Sequence, residues 1–307
     1  MKREISIIIV GYNSEHVISD CLGFLGASDS IEVILVDNNS TDNTVDVFRK
    51  MCQNGIVVRR STNGGFAAAV NEGLLSANGR CIALLNPDAF IRSEDLLKLA
   101  RLVDGEVVAA APMVTQGDGR SVTAGRLPTL WRIFVHMTGL SILGGLHPVF
   151  EGHYLLRAHC TQGVRTVDWS TGGCLVVRAD HLRSLGGLND RWFMYGEDID
   201  FCWRSSVHTE GTVMLDTSII VRHLVGKSTA SADGTLSDVW LRHLYEAYVA
   251  NTDPNLLERA CWISTVTLGF TARFLVFSIL CPLSRGDRQK RMQYVASRSL
   301  IYARTFL

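Results

Sequence analysis

Short β-branched runs alternate with longer amphipathic stretches over the first 112 residues of the chain. "ISIIIVGY" (5–12), "EVILVD" (32–37), "GIVVRR" (55–60), "CIALLN" (81–86) and "VVAAAP" (107–112) have the length and residue types of strands. The stretches near 15–26, 41–52, 66–77 and 93–103 have the apolar spacing of helices. Strands that are apolar nearly throughout are buried on both faces, as in a parallel sheet covered by helices and built from right-handed βαβ units. The pattern predicts the α/β class, with an open, mostly parallel, Rossmann-like sheet flanked by helices.

Ligands of such sheets bind beyond the carboxyl ends of the strands. Tyr12 and Asn13 follow the first run, Asp37 to Asn39 close the second, Asn63 to Gly65 follow the third, and Asn86, Pro87 and Asp88 close the fourth. One polar strand end is ordinary turn chemistry. Four along one rim suit a polar ligand lying across it.

Composition narrows the ligand. The 307 residues are 47% hydrophobic and 20% charged, which describes a globular protein of one large domain or two ordinary ones. A formal net charge of zero leaves no basic surplus for phosphate backbones, so no nucleic-acid partner is expected. No G-x-G-x-x-G follows a strand, and "VRHLVGKS" (221–228) has Val221 where a P-loop needs its first glycine. A phosphate-bearing ligand then needs a metal ion anchored by a carboxylate. The eight cysteines form no C-x-x-C pair and no zinc spacing, which fits a reduced cytoplasm.

Five segments, "VDNNSTDNT" (36–44), "NGGFAAAVNEG" (63–73), "LLNPDA" (84–89), "WSTGGCLVVR" (169–178) and "FMYGEDIDFCWR" (193–204), carry a resemblance in this order and spacing. Together they resemble the family 2 inverting glycosyltransferases of GT-A fold, in the rhamnosyltransferase-like branch that builds bacterial cell-envelope glycans. The resemblance covers roughly residues 4–228. It implies a GT-A domain over 1–228, with a nucleotide-binding half (1–112) and an acceptor and catalytic half (113–228), followed by an apolar helical extension over 229–307.

The resemblance also implies roles. Asp37 would accept the imino N–H of a pyrimidine base, in a pocket lined by Tyr12 and Asn13, while Asn63 and Gly64 let the chain approach the nucleotide. Asp88, with Asn86 where the family's usual Asp-x-Asp has its first acid, and His223 would hold Mg2+ or Mn2+. Asp198 would be the catalytic base with Glu197 beside it. Trp169, Gly172, Gly173 and Tyr195 would adjoin the sugar and the acceptor.

The same residues have plainer readings. Asp37 suits a helix N-cap, Asn63 to Gly65 a turn, and a His after a strand a structural place. Glu197, Asp198 and Asp200 suit the first turn of a helix, whose unpaired N–H groups favour negative charge. Asp200 and Arg204 have the spacing of a surface ion pair. "WSTGGCLVV" reads as an interior strand, its glycines leaving room for a ligand or marking a bulge.

Beyond residue 228 the chain changes character. "CWISTVTLGFTARFLVFSILCPL" (261–283) holds one charge, Arg273, over a length that could cross a hydrocarbon layer of ~30 Å. An arginine near the centre argues against a plain crossing. Residues 285–304 hold six Lys or Arg and one acid, so the segment reads as a helix in the membrane interface followed by a basic stretch for anionic headgroups. A buried core helix is the alternative. "TLWRIFVHMTGLSILGGLHPVF" (129–150) puts Arg132 and His136 on one helical face and suits docking of a lipid-linked acceptor, contact with a second copy in a homo-oligomer, or a flap.

The expectation is an enzyme at the cytoplasmic face of a membrane, peripheral or monotopic. It would move a sugar, by resemblance rhamnose from dTDP-rhamnose, from a nucleoside diphosphate to a lipid-linked glycan. Two alternatives stand. A sugar-phosphate nucleotidyltransferase needs a glycine-rich, arginine-containing loop after the first strand, which "VGYNSEH" lacks. A non-catalytic membrane scaffold is kept open by Asn86.

Overall fold

A computed structural model of the chain describes residues 3–115, 119–161, 163–223 and 237–307. It divides into two compact units, Met1–Gly125 with Leu156–Val225 and Arg126–Leu155 with Gly226–Leu307. The second unit thus takes in 126–155, which the sequence reading put in the acceptor half. The boundary expected at 228 lies outside the described residues, as does the end of "VRHLVGKS".

The first unit follows the predicted alternation: β1 (Ile5–Gly11), α1 (Glu15–Leu25), β2 (Ile31–Asp37), α2 (Thr44–Met51), β3 (Ile56–Arg59), α3 (Phe66–Leu74), β4 (Cys81–Leu85), α4 (Ser93–Leu102) and β5 (Val107–Thr115). Short strands β6 (Ser121–Val122) and β7 (Ala124–Gly125) come next, and β8 (Leu155–Leu156) marks the return to this unit. The remainder is β9 (Val164–Val167), β10 (Trp169–Ser170), β11 (Cys174–Arg178), α6 (Ala179–Ser184), α7 (Glu197–Thr209) and β12 (Thr212–Arg222). The main sheet runs β3-β2-β1-β4-β11-β5-β12-β9. β3, β2, β1 and β4 are mutually parallel, β11 is antiparallel to both β4 and β5, and β12 returns parallel to β5.

Burial on both faces explains the continuous apolar runs. Ile5, Ile7 and Ile9 join one cluster with Phe48, Leu96 and Leu99, and Ile8 on the opposite face is equally buried. "WSTGGCLVV" departs from expectation: it is two strands with a turn between them. β10 pairs with β7 in a small separate ladder, Thr171 to Gly173 turn the chain, and β11 enters the main sheet.

The second unit holds α5 (Leu130–Thr138), α8 (Val239–Thr252), α9 (Leu256–Leu280) and α10 (Gly286–Ala303). Asn255 and Glu258 form a reciprocal capping box at the start of α9. Trp262 packs among Tyr245, Tyr248 and Phe306, with ring centroids 5.1, 5.9 and 6.0 Å away, and donates its indole N–H to Pro128 O. The helix expected over 129–150 stops early, because Gly139 adopts a left-handed φ of 80° and 3₁₀ turns follow. Arg132 donates to the carbonyls of Pro148, Val149 and Glu151, and burial pushes His136 down to about 3. Arg132 therefore braces the returning chain, and His136 packs against Tyr154 on it, ring centroids 5.6 Å apart, instead of the two forming an open face.

Candidate active site

β1 and β2 end in register, Gly11 beside Asp37, so the segments that follow meet. Asn13 sits at φ 48°, a conformation Asn tolerates better than most residues. Its N–H donates to Ser40 Oγ at 3.0 Å and its Oδ1 accepts from Thr41 N at 2.8 Å. Asp37 is 5% exposed and accepts from Ser40 N at 3.1 Å. It does not cap α2, whose N-cap is Asn43. Tyr12 beside it is 51% exposed.

Two residues of this rim were not among the predicted site residues. Asn38 donates to Asn63 Oδ1 at 2.8 Å and to Gly65 O at 3.2 Å, while its Oδ1 accepts from Arg60 at 2.9 Å and Gly64 N at 3.3 Å. Arg60 in turn donates through Nε to Glu72 at 2.8 Å. The "NGG" turn is therefore held by a buried amide whose donor and acceptor ends are both engaged. The one sequence signal was the place of Asn38 in the polar run directly after β2.

"NPD" follows β4. Asp88 is 3% exposed, and its Oδ1 lies 2.9 Å from His223 Nε2 at the end of β12. Asn86 Nδ2 is 3.0 Å from the same nitrogen. One ring nitrogen carries a proton toward Asp88 or a lone pair toward Asn86, not both. Among the described residues, Asp88 Oδ2 and His223 Nδ1 are buried with no hydrogen-bond partner. A buried acceptor left unmatched costs about 1–3 kcal/mol, which a positive charge at this point would offset. The described residues include no cluster of three or more His, Cys, Asp or Glu suited to a metal. A divalent ion here would complete its shell with water and ligand phosphates, as Mg2+ commonly does.

The acidic stretch opens α7, with Gly196 as its N-cap. Asp198 Oδ2 accepts from Gly172 N at 3.1 Å and Oδ1 from Ile199 N at 2.8 Å. Glu197 is 6% exposed, and its Oε2 has no partner among the described residues. Burial, with the Asp198 charge adding, pushes Glu197 up to about 8. Burial also raises Asp198, but backbone donors at Gly172 and Ile199 and the Thr171 hydroxyl favour its charged form. Of this coupled pair, Asp198 is the one better able to carry the charge. Asp200 pairs with Arg204 at 2.7 Å, but the pair is largely buried, and Arg204 also donates to Leu185 O and Gly187 O. This is a brace between α7 and the turn after α6, not a surface pair.

The Gly172–Gly173 turn joins the two acidic centres. A Cβ on Gly172 would lie 3.8 Å from Asp198 Cβ and 3.2 Å from the Phe66 ring. A Cβ on Gly173 would lie 3.5 Å from Asn86 Nδ2 and 3.7 Å from His223 Cε1, and Gly173 O accepts from Asn86 N at 3.0 Å. The rim is tied to the α7 loop as well. Phe66 N donates to Phe193 O at 2.9 Å, and a Cβ on Gly65 (φ 86°) would sit 2.2 Å from that oxygen. Tyr195 holds a left-handed φ of 64° just before α7. Trp169 is buried in β10, where its backbone pairs with Gly125 two residues before the Thr171–Gly173 turn.

The model of glycosyl transferase family 2 matches residues 6–158. A hexosyltransferase of low-salt glycan biosynthesis from Haloferax volcanii is 27% identical over 67% of this chain and 62% of its own length. The N-acetylglucosaminyl-diphospho-decaprenol L-rhamnosyltransferase of Mycobacterium tuberculosis is 27% identical over 57% of this chain and 61% of its own. The matches thus span about three fifths of either relative. A mannosyltransferase from Pyrobaculum calidifontis, solved with GDP-Man and Mn2+, superimposes with a TM-score of 0.54 at 17% identity over 99% of this chain and 86% of its own. With its strand order and acidic strand ends, the chain belongs to glycosyltransferase family 2 and has the GT-A fold.

Proposed function

We propose that this chain is an inverting, metal-dependent glycosyltransferase. It moves a sugar, with rhamnose from dTDP-rhamnose favoured, from a pyrimidine nucleoside diphosphate to a lipid-linked glycan at the cytoplasmic face of a membrane. One observation carries the reading: Asp198 and the Asp88–His223 pair lie against two adjacent glycines of one turn.

Asp37 accepts the N–H of the base, because a carboxylate offers only acceptors. Tyr12 and Asn13 line the base pocket, and Asn38 holds the Asn63–Gly64–Gly65 turn close to the nucleotide. Asp88 and His223 would hold Mg2+ or Mn2+, which would supply positive charge to the donor phosphates and the departing diphosphate. Asn86 is a neutral neighbour that leaves Asp88 as the one carboxylate of "NPD".

Asp198 takes the proton from the acceptor hydroxyl as that oxygen attacks the anomeric carbon on the face opposite the diphosphate. The new C–O bond forms as the bond from that carbon to the phosphate oxygen breaks, and nucleoside diphosphate leaves. Glu197, kept neutral by its burial, leaves the pair with a single charge, on Asp198. Gly172, Gly173 and Tyr195 leave room for the sugar and acceptor. The decaprenol-linked acceptor in the mycobacterial relative's name supports a lipid-linked acceptor here.

Purified protein incubated with Mn2+, a panel of nucleotide sugars and an acceptor-lipid extract tests the reading. Nucleoside diphosphate released with a glycosylated lipid is the expected result. Pyrophosphate release would indicate nucleotidyl exchange, and no turnover of any donor would indicate a scaffold.

A further inference from the structure

The two faces of α9 differ sharply. Trp262, Val266 and Phe270 are buried, and Gly269 lies so close to Met137 that a Cβ would come within 2.7 Å of its side chain. Arg273 donates to His136 O at 3.1 Å and lies 5.4 Å from the Phe270 ring centroid. Leu268, Leu275 and Ile279 on the opposite side are 53% to 68% exposed, and Val276 and Leu280 near the helix end and Leu283 in the 3₁₀ turn after it are 40% to 78% exposed. Leu268, Leu275 and Ile279 have the spacing of a single helical stripe, about 16 Å long at 1.5 Å per residue. Trp262, Val266 and Phe270 are the buried residues of this 25-residue helix, fewer than a helix enclosed in a core would bury.

The neighbouring elements extend this patch at one end. Pro128 meets Trp262 and Met137 meets Gly269, so α5 runs in the same direction as α9. The chain leaving α5 turns at that end before Arg132 gathers it back at Pro148. Ile142 and Leu146 on this turn are exposed. α10 runs the other way: Ser284 Oγ donates to Met292 Sδ at 3.2 Å, and Tyr302 reaches back to Phe270 at 5.1 Å. Its exposed Arg288, Lys290 and Arg291, with Arg285 just before it, therefore stand at the end where the large apolar groups collect, and Asp287 is the one acid from 274 to 307.

We propose that the exposed stripe of α9 seats in one leaflet of an anionic membrane, with the helix lying along the surface and not through it. The four basic residues meet lipid phosphates. A crossing would strip Trp262, Phe270 and Arg273 from their partners, whereas an interfacial seat leaves that face untouched. A second copy is a poorer occupant, because this end has almost no acid to answer its bases. The inference deepens the lipid-linked-acceptor reading and rests on it for its purpose, since it brings the enzyme to where such an acceptor lies.

Flotation of the full chain with vesicles tests it, using phosphatidylcholine alone or mixed equally with phosphatidylglycerol. The protein should float with the anionic vesicles, leave them in high salt or alkaline carbonate, and stay in solution with phosphatidylcholine alone. Ile279→Glu with Leu283→Glu, exposed positions that the fold tolerates, should lower binding about tenfold or more at unchanged circular dichroism. Arg285→Glu with Arg288→Glu should remove the preference for anionic lipid. Three results would overturn the proposal: binding unaffected by the apolar pair, retention in carbonate, or a lipid-free dimer that the apolar pair dissolves. Donor turnover is read separately. Vesicle binding by a chain that turns over no nucleotide sugar upholds the leaflet seat and rejects the transfer reading.

Discussion

Gly172 donates its backbone N–H to Oδ2 of Asp198 at 3.1 Å. Its neighbour Gly173 gives its carbonyl to Asn86 N at 3.0 Å, two residues before Asp88. Two acids 110 positions apart in sequence are thereby referred to one dipeptide. With Asp198 as the proposed base and Asp88 as the proposed phosphate anchor, a shared turn would fix their separation, and positioning of this kind lowers the barrier before any proton moves.

Gly65 should be the least replaceable glycine of the rim. Gly65→Ala meets a left-handed φ of 86° and a backbone oxygen at 2.2 Å, whereas Gly26→Ala at φ 72° meets nothing within 4 Å. Denaturant unfolding should show a loss of about 1 kcal/mol at Gly26 and about 3 kcal/mol or more at Gly65.

Asp88→Asn should separate the metal site from the fold. Without metal the variant should be at least as stable as the parent, because a buried unmatched carboxylate oxygen becomes an uncharged amide. The parent should gain thermal stability from Mn2+ with nucleoside diphosphate, and the variant should lose most of that gain. His223→Ala should raise the Mn2+ concentration needed about tenfold or more.

Glu197 should write a pH dependence into stability. Its carboxyl titrates at about 8 in the fold and at its ordinary 4.5 in the unfolded chain. Between those values the unfolded chain has given up a proton that the fold retains, so stability falls as pH rises through this window. The fall is complete above about 8. Glu197→Gln lacks the titration, and its melting-temperature advantage should grow from pH 5 to pH 8 and then stay level.

Arg60 should act on donor binding more than on chemistry. It holds Asn38, which holds the turn at Gly64 and Gly65. Arg60→Ala should raise the KM for donor about tenfold with kcat little changed. Arg60→Lys should recover only part, because one ammonium cannot reproduce the fork between Asn38 and Glu72.

Much of the fold was legible because burial on both faces leaves an unbroken apolar run. β1, β2, β3 and β4 lie within one residue of the stretches read as strands. Where a residue's role depends on a distant partner, legibility ended. Paired glycines in "WSTGGCLVV" fit a strand, a bulge or a turn, and the pairing of Trp169 with Gly125 selects the turn. Gly139 was a visible stop signal inside 129–150 that the apolar residues around it masked. His223 reaches Asp88 across 135 positions, and no local pattern encodes that meeting; the resemblance alone suggested it. Arg60 was missed for the same reason, and Asn38, though on the polar rim, was given no role, since their partners come from neighbouring strands and loops.

The decisive measurement is transfer and donor binding by Asp198→Asn, made on one preparation with Mn2+ present. The amide keeps an acceptor for Gly172 N–H but cannot take a proton. Transfer should fall by about a hundredfold or more while donor affinity stays within about twofold, as expected for an interaction made only in the transition state. Turnover near the parent's rate would contradict the assignment of Asp198 as the base.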